Sequence, residues 1–148
     1  MNKTSVRVIS KDNLLSIIPL LEKLNKKTPN KILIDRVLEM SNQNYECIGL
    51  YQLDKLIGIC GLWYSTRHYV GRTAEVDHVI IETGFRNKGL GRVFFAWIYK
   101  YLADKGCDAT ELNTFVDNKK SHRFYCNEGY DIYGFHMVKI LRKDQGFY

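Results

Sequence analysis

Apolar residues recur along the chain with two periods, and the switches between them predict interleaved strands and helices. The stretch SVRVIS (5–10) sets Val6 and Val8 against Arg7 and Ile9 and reads as a short strand. Residues 12–27 follow a helical period: Leu14, Ile17, Ile18, Leu21 and Leu24 share a face, Asp12 can cap the start, and Pro19 is placed to kink it. A second helix over about 31–42 carries Leu33, Ile34, Val37 and Leu38. YECIGLYQL and LIGICGLWYS predict two strands joined at Asp54-Lys55, and TAEVDHVIIE (73–82) a more apolar, central one.

The strongest helical signal runs over 90–105, where Leu90, Val93, Phe94, Trp97, Ile98, Tyr101 and Leu102 recur at i, i+3, i+4, i+7 and Gly106 supplies the C-terminal cap. CDATELNTFV predicts a strand, NKKSHRFYCNE a short helix closed by Gly129, and YDIYGFHMVKILR one or two final strands. The order β-α-α-β-β-β-α-β-α-β predicts an α/β fold: a single domain over 1–148 with a mixed, mostly antiparallel sheet flanked by helices on both faces.

Composition narrows the function classes. Hydrophobic residues at 45% and charged residues at 26% are ordinary for a globular chain. No apolar run reaches the roughly 18 residues a membrane helix needs, and MNKTSVRVISKDN lacks the apolar core of a signal peptide, so the expectation is a cytoplasmic protein with no membrane partner. The formal charge of +6 favours anionic partners, but no basic, aromatic-interleaved strand pair points to nucleic acid. Cysteines at 47, 60, 107 and 126 lack C-x-x-C spacing, and histidines at 68, 78, 122 and 136 lack H-x-x-x-H spacing, so no metal site is expected.

FRNKGLGR (85–92) joins the central strand to the strong helix and combines Gly89 and Gly91 with Arg86, Lys88 and Arg92. Unpaired N–H groups at a helix start, reached over a glycine, make an anion site; the helix dipole adds about 0.3–1 kcal/mol. The anion is not held by a Walker loop, because Leu90-Gly91 stands where Lys-Ser/Thr is required after Gly84 and Gly89. A dinucleotide fingerprint also fails, since Phe94 occupies its last glycine position. What remains is R-x-x-G-x-G from Arg86 to Gly91, behind an apolar strand.

With that loop, Glu75 in AEVDHVII, and Asn118 and Tyr125 in NKKSHRFYCNEGY, the chain resembles the Gcn5-related N-acetyltransferases, the GNAT superfamily. The resemblance is firm over about 73–135 and looser before that. It implies acetyl-CoA as cofactor, its pyrophosphate held by Arg86, Asn87, Lys88, Gly89, Leu90, Gly91 and Arg92. It also implies that Val79 supplies a main-chain N–H to the developing oxyanion and that the strand from Val79 to Ile81 pairs with the pantetheine amides. Asn118 and Ser121 become further cofactor neighbours, with His122 beside them, and a homodimer is the family's habit.

The chemistry sets two demands on side chains. A lysine-like amine is only about one part in 2,500 neutral at pH 7, so freeing its lone pair costs ~4–5 kcal/mol. A carboxylate can take that proton directly or through water: Glu75 is the first candidate and Asp77 the second, residues 75, 77, 79 and 81 being expected to share a strand face. The departing thiolate, with a thiol pKa near ~8.5, is readily protonated by a phenol. Tyr125 fits that role, and Asn118, His122 and Tyr125 fall at i, i+4 and i+7 on one helix face.

The acceptor is less marked. STRHYVGR (65–72) is expected as a loop that offers Arg67, His68, Tyr69 and Arg72 to an anionic group, with Trp63, Tyr64, Phe135 and His136 as candidate lining. ELNT…SHRFYCNEGY…FHMVK is similar to the aminoalkylphosphonate N-acetyltransferases and implies a small primary amine as substrate. A protein or peptide acetyltransferase and a non-catalytic acyl-CoA sensor are the alternatives.

Overall fold

The structure, a computed structural model, describes residues 3–148. It falls into two compact units, one ending at Leu112 and the other spanning Asn113–Tyr148. The first unit holds β1 (Thr4–Val8), a 3-10 helix (Lys11–Ile17), α1 (Ile18–Leu24), α2 (Asn30–Met40), β2 (Tyr45–Gln52), β3 (Lys55–Arg67), β4 (Gly71–Ile81), a 3-10 turn (Thr83–Phe85), α3 (Leu90–Asp104) and β5 (Ala109–Leu112). The second holds α4 (Lys119–Asn127).

The strands form one sheet in sequence order, antiparallel throughout except for the parallel pair β4–β5, which α3 connects. Both faces of this sheet are covered. On one, Tyr45, Cys47, Ile59 and Ile80 pack with Leu14, Ile17, Ile18, Leu20, Leu21, Leu33 and Val37 of the first helical segments. On the other lie Ile48, Leu50, Leu62, Ala74 and Val76, all buried. There Glu46 of β2 accepts hydrogen bonds from Tyr101 on α3 and from Lys105 just beyond it, which fixes α3 to that face.

Several expectations shift on contact with tertiary structure. The single helix over 12–27 becomes a 3-10 segment followed by α1, because Pro19 sits in the first turn of α1, where its missing N–H breaks no hydrogen bond. The β2–β3 turn is Leu53-Asp54, closed by the pair Gln52↔Lys55, with Leu53 at φ +53°. STRHYVGR is mostly strand: β3 runs to Arg67 and β4 begins at Gly71. α3 buries Phe94, Phe95, Ile98 and Leu102 and leaves Val93 53% exposed, so its inner face is rotated from the expected stripe toward Phe95. A helix apolar over so wide an arc does not specify its orientation by periodicity alone.

Two strand expectations are corrected. CDATELNTFV contributes only Ala109–Leu112 as strand. Residues 130–142 form no strand: Ile132, Tyr133, Phe135, Met137 and Leu141 are exposed, and no ladder forms there among the described residues. Alternating apolar residues suit a strand, but the pairing partner completes it.

Candidate active site

Strand β4 carries both carboxylates proposed as proton acceptors. Glu75 stands opposite Trp63 on β3 and beside Glu111 on β5, so it is an interior-strand residue, partly buried. Asp77 stands opposite Gly61. Beyond it the register slips, because Ile80 pairs with Ile59, so β4 spends three residues where β3 spends two. The bulge reverses the side-chain alternation. Glu75 and Asp77 share the face of Trp63, whereas Val79 and Ile81 fall on the other, which corrects the single-face expectation for 75, 77, 79 and 81.

The bulge sits in a polar cluster. Tyr45 Oη lies 2.6 Å from His78 Nε2, and His78 Nδ1 lies 3.3 Å from Asp77 Oδ2. Trp63 Nε1 donates to Asp77 Oδ2 at 3.1 Å, and the main-chain N–H of His78 donates to Asp77 Oδ1 at 2.8 Å. Burial works against ionisation of Asp77, but hydrogen bonds from His78 and Trp63 and attraction to the imidazole outweigh it and hold the carboxyl down at about 2. Burial pushes the Cys47 thiol up to about 12 and raises Cys60 as well, so neither supplies a thiolate nucleophile at neutral pH.

β5 pairs only with Thr73–Val76. The same edge of β4 from Asp77 to Ile81 has no strand partner among the described residues, and the chain leaves it directly for the glycine loop. There Asn87 adopts φ +59° and Gly89, the residue before α3, φ +74°. Leu90, Gly91 and Arg92 open the helix, so their N–H groups have no acceptor within it. Asn87, Lys88, Gly89 and Arg92 are exposed. The Arg86 N–H is bonded to Thr83 O and its side chain to Ile81 O, so this arginine shapes the loop from within. Lys88 Nζ similarly donates to Gly84 O. Open space around Gly89, amides at a helix start and exposed cations together fit a diphosphate.

In the second unit, Asn118 caps α4: its Oδ1 accepts from the Ser121 N–H at 3.3 Å. His122 Nε2 donates to Phe115 O at 2.8 Å, which sets its tautomer. Tyr125 packs edge-on against Phe124 and Tyr130, and Tyr130 N–H returns to Tyr125 O past Gly129 at φ +97°. Phe135 and His136 are exposed.

The acceptor-side cations are partly committed. Arg67 makes a two-pronged hydrogen bond to Glu111, at 3.1 and 2.8 Å, so its charge is matched within the sheet. Tyr45, Gly61 and Glu111 belong to no motif in the sequence, and His78 stands there only as a histidine outside any metal-ligand spacing. Only Gly61, a glycine in the middle of an apolar strand, signals there that something must approach closely.

A strand with a bulge and an open edge, running into a glycine-led helix start, is thus confined to one contiguous segment. The family described as Acetyltransferase (GNAT) matches residues 17–130. The chain belongs to this acetyltransferase family. Among GNAT relatives, the aminoalkylphosphonate N-acetyltransferase of Salmonella typhimurium is 28% identical over 74 residues, covering 50% of this chain and 48% of that protein. The match therefore spans about half the length of that relative. In three dimensions the chain resembles a ribosomal-protein-alanine N-acetyltransferase from Brucella melitensis, with TM-score 0.79 and 14% identity over 93% of this chain and 99% of that one. It also resembles an aminoglycoside N-acetyltransferase solved with CoA, with TM-score 0.76 and 16% identity over 95% of each chain. At such identities these two likenesses establish the GNAT fold.

Proposed function

We propose that the protein is an acetyl-CoA-dependent N-acetyltransferase that acts on the primary amine of a small molecule. The observation that carries this is the passage from the open edge of β4 into the Gly89-led start of α3, inside the segment that matches the family. Bound there, acetyl-CoA supplies an activated acyl thioester. The N–H groups of Leu90, Gly91 and Arg92 would hold the diphosphate, with the Lys88 and Arg92 side chains balancing its charge and the Asn87 amide as a further donor. The unpaired edge at Val79–Ile81 would receive the pantetheine amides as a neighbouring strand does.

Glu75 is the proton acceptor for the amine in this reading. Asp77 is the weaker base, since a carboxyl held at about 2 by three hydrogen bonds has little affinity for a proton. Tyr125 is the donor to the departing thiolate, and Asn118 and Ser121 at the start of α4 serve the cofactor. The Salmonella relative supports an aminoalkylphosphonate or similar small amine as acceptor.

The test is a thiol-release assay with acetyl-CoA and separate panels of aminoalkylphosphonates, polyamines, aminoglycosides and lysine peptides. Release with a small amine well above the hydrolytic background supports the proposal. Release with peptides alone, or CoA binding without release by any amine, overturns it.

A further inference from the structure

His78 occupies the extra position of the β4 bulge with φ +34°, a conformation that side chains other than glycine rarely adopt. Three neighbours make it tenable. Nδ1 faces the Asp77 carboxylate at 3.3 Å and Nε2 the Tyr45 hydroxyl at 2.6 Å, so both ring nitrogens are partnered. The third neighbour is Gly61 on β3, where a Cβ would land inside the imidazole. The His78 side chain is only 10% exposed, and Trp63, whose ring centroid lies 4.8 Å from that of Tyr45, completes the enclosure by bonding Asp77. Relaxed into ordinary strand geometry, β4 would lose its extra residue, and the orientation of every later residue would reverse.

We propose that His78 is a positioning residue for acetyl transfer: its imidazole, clamped between Tyr45 and Asp77 over Gly61, locks the bulge that aims the main chain of Val79–Ile81 at the acyl group. The inference rests on the transferase reading above. None of the clamp's bonds reaches the loop at 87–92, so its loss bears on the Val79–Ile81 edge, which would meet the acyl group and the pantetheine amides, and leaves the diphosphate loop alone. Its loss should therefore appear in kcat and not in the affinity for the diphosphate end of the cofactor.

Three variants probe the clamp from different sides in the full chain: His78→Ala removes it, Tyr45→Phe removes one hydroxyl, and Gly61→Ala displaces the ring while deleting no polar group. Each is expected to lower kcat roughly 10- to 100-fold, as small misplacements at a reacting centre do, with the Kd for 3′-phospho-ADP, the part of CoA that lacks pantetheine, nearly unchanged by calorimetry. His78→Gln, whose amide reaches the place of Nε2, is expected to recover much of the activity lost in His78→Ala. Amide exchange at Val79–Ile81 should quicken in His78→Ala while α1 and α3 keep their protection. Wild-type kcat in Tyr45→Phe and Gly61→Ala, or equal losses of kcat and 3′-phospho-ADP affinity, overturn the inference while the transferase reading stands. A wild-type protein that releases no thiol with any amine overturns the transferase reading itself.

Discussion

Glu46 on β2 and Lys105, one residue past α3, form an ion pair 2.9 Å long, and the same carboxylate accepts from Tyr64 at 2.6 Å and from Tyr101 at 3.1 and 3.0 Å. This anchors the C-terminal end of α3, the helix whose N-terminal end follows the glycine loop. Burial opposes ionisation of Glu46, but hydrogen bonds from Tyr64, Lys105 and Tyr101 outweigh it and lower the carboxyl from its usual 4.5. A pKa depressed by folding stabilises the protein above the unfolded value, and that contribution fades as pH falls through the folded one. Glu46→Gln should cost about 1–3 kcal/mol at pH 7, and its gap to wild type in urea midpoint should close below about pH 4.5.

Gly89 holds φ +74° with nothing within 4 Å of where a Cβ would sit, so a substitution there meets conformational strain without a clash. Gly89→Ala is expected to cost about 1–2 kcal/mol, which as lost affinity is roughly a 5- to 30-fold rise in the Kd for CoA. Calorimetry checks it, and a melting temperature well above the assay temperature shows that the variant is folded when it is titrated.

Glu75→Gln should reduce kcat by about 10²–10⁴-fold with CoA binding retained, as expected for loss of a general base. Asp77→Asn should cost less. Steady-state rates of the two variants, measured side by side with the same amine, rank the two carboxylates; a larger loss at Asp77 would reverse the assignment.

Tyr125→Phe keeps the ring that packs on Phe124 and Tyr130 and removes only the hydroxyl. The expected result is an unchanged melting temperature and a kcat lower by about 10²–10⁴-fold. The deficit should shrink with a thioester whose thiol is more acidic, since a better leaving group needs less help from a proton donor.

Much of this arrangement is legible in residue order. The two glycines after an apolar strand mark the helix start, and Asn118 three residues before Ser121 marks the cap of α4, because both effects are local. The bulge at His78 is not legible, since its cause lies on other strands: a hydroxyl at Tyr45 and a missing side chain at Gly61. The same limit explains Arg67, which looks available for an anionic acceptor until β5 brings Glu111 beside it. It also explains residues 130–142, whose alternation suits a strand but which form no ladder among the described residues. Contacts set by neighbours far along the chain are the ones a linear pattern omits.

Calorimetric titration of CoA into the 148-residue chain tests the central claim most directly, because the proposed roles of Glu75 and Tyr125 both require a diphosphate held by the amides that follow Gly89. Saturable uptake at one site per chain is expected, weakened in Gly89→Ala and unaltered in Glu75→Gln. Absence of saturable heat, or uptake equally strong in Gly89→Ala, would contradict it.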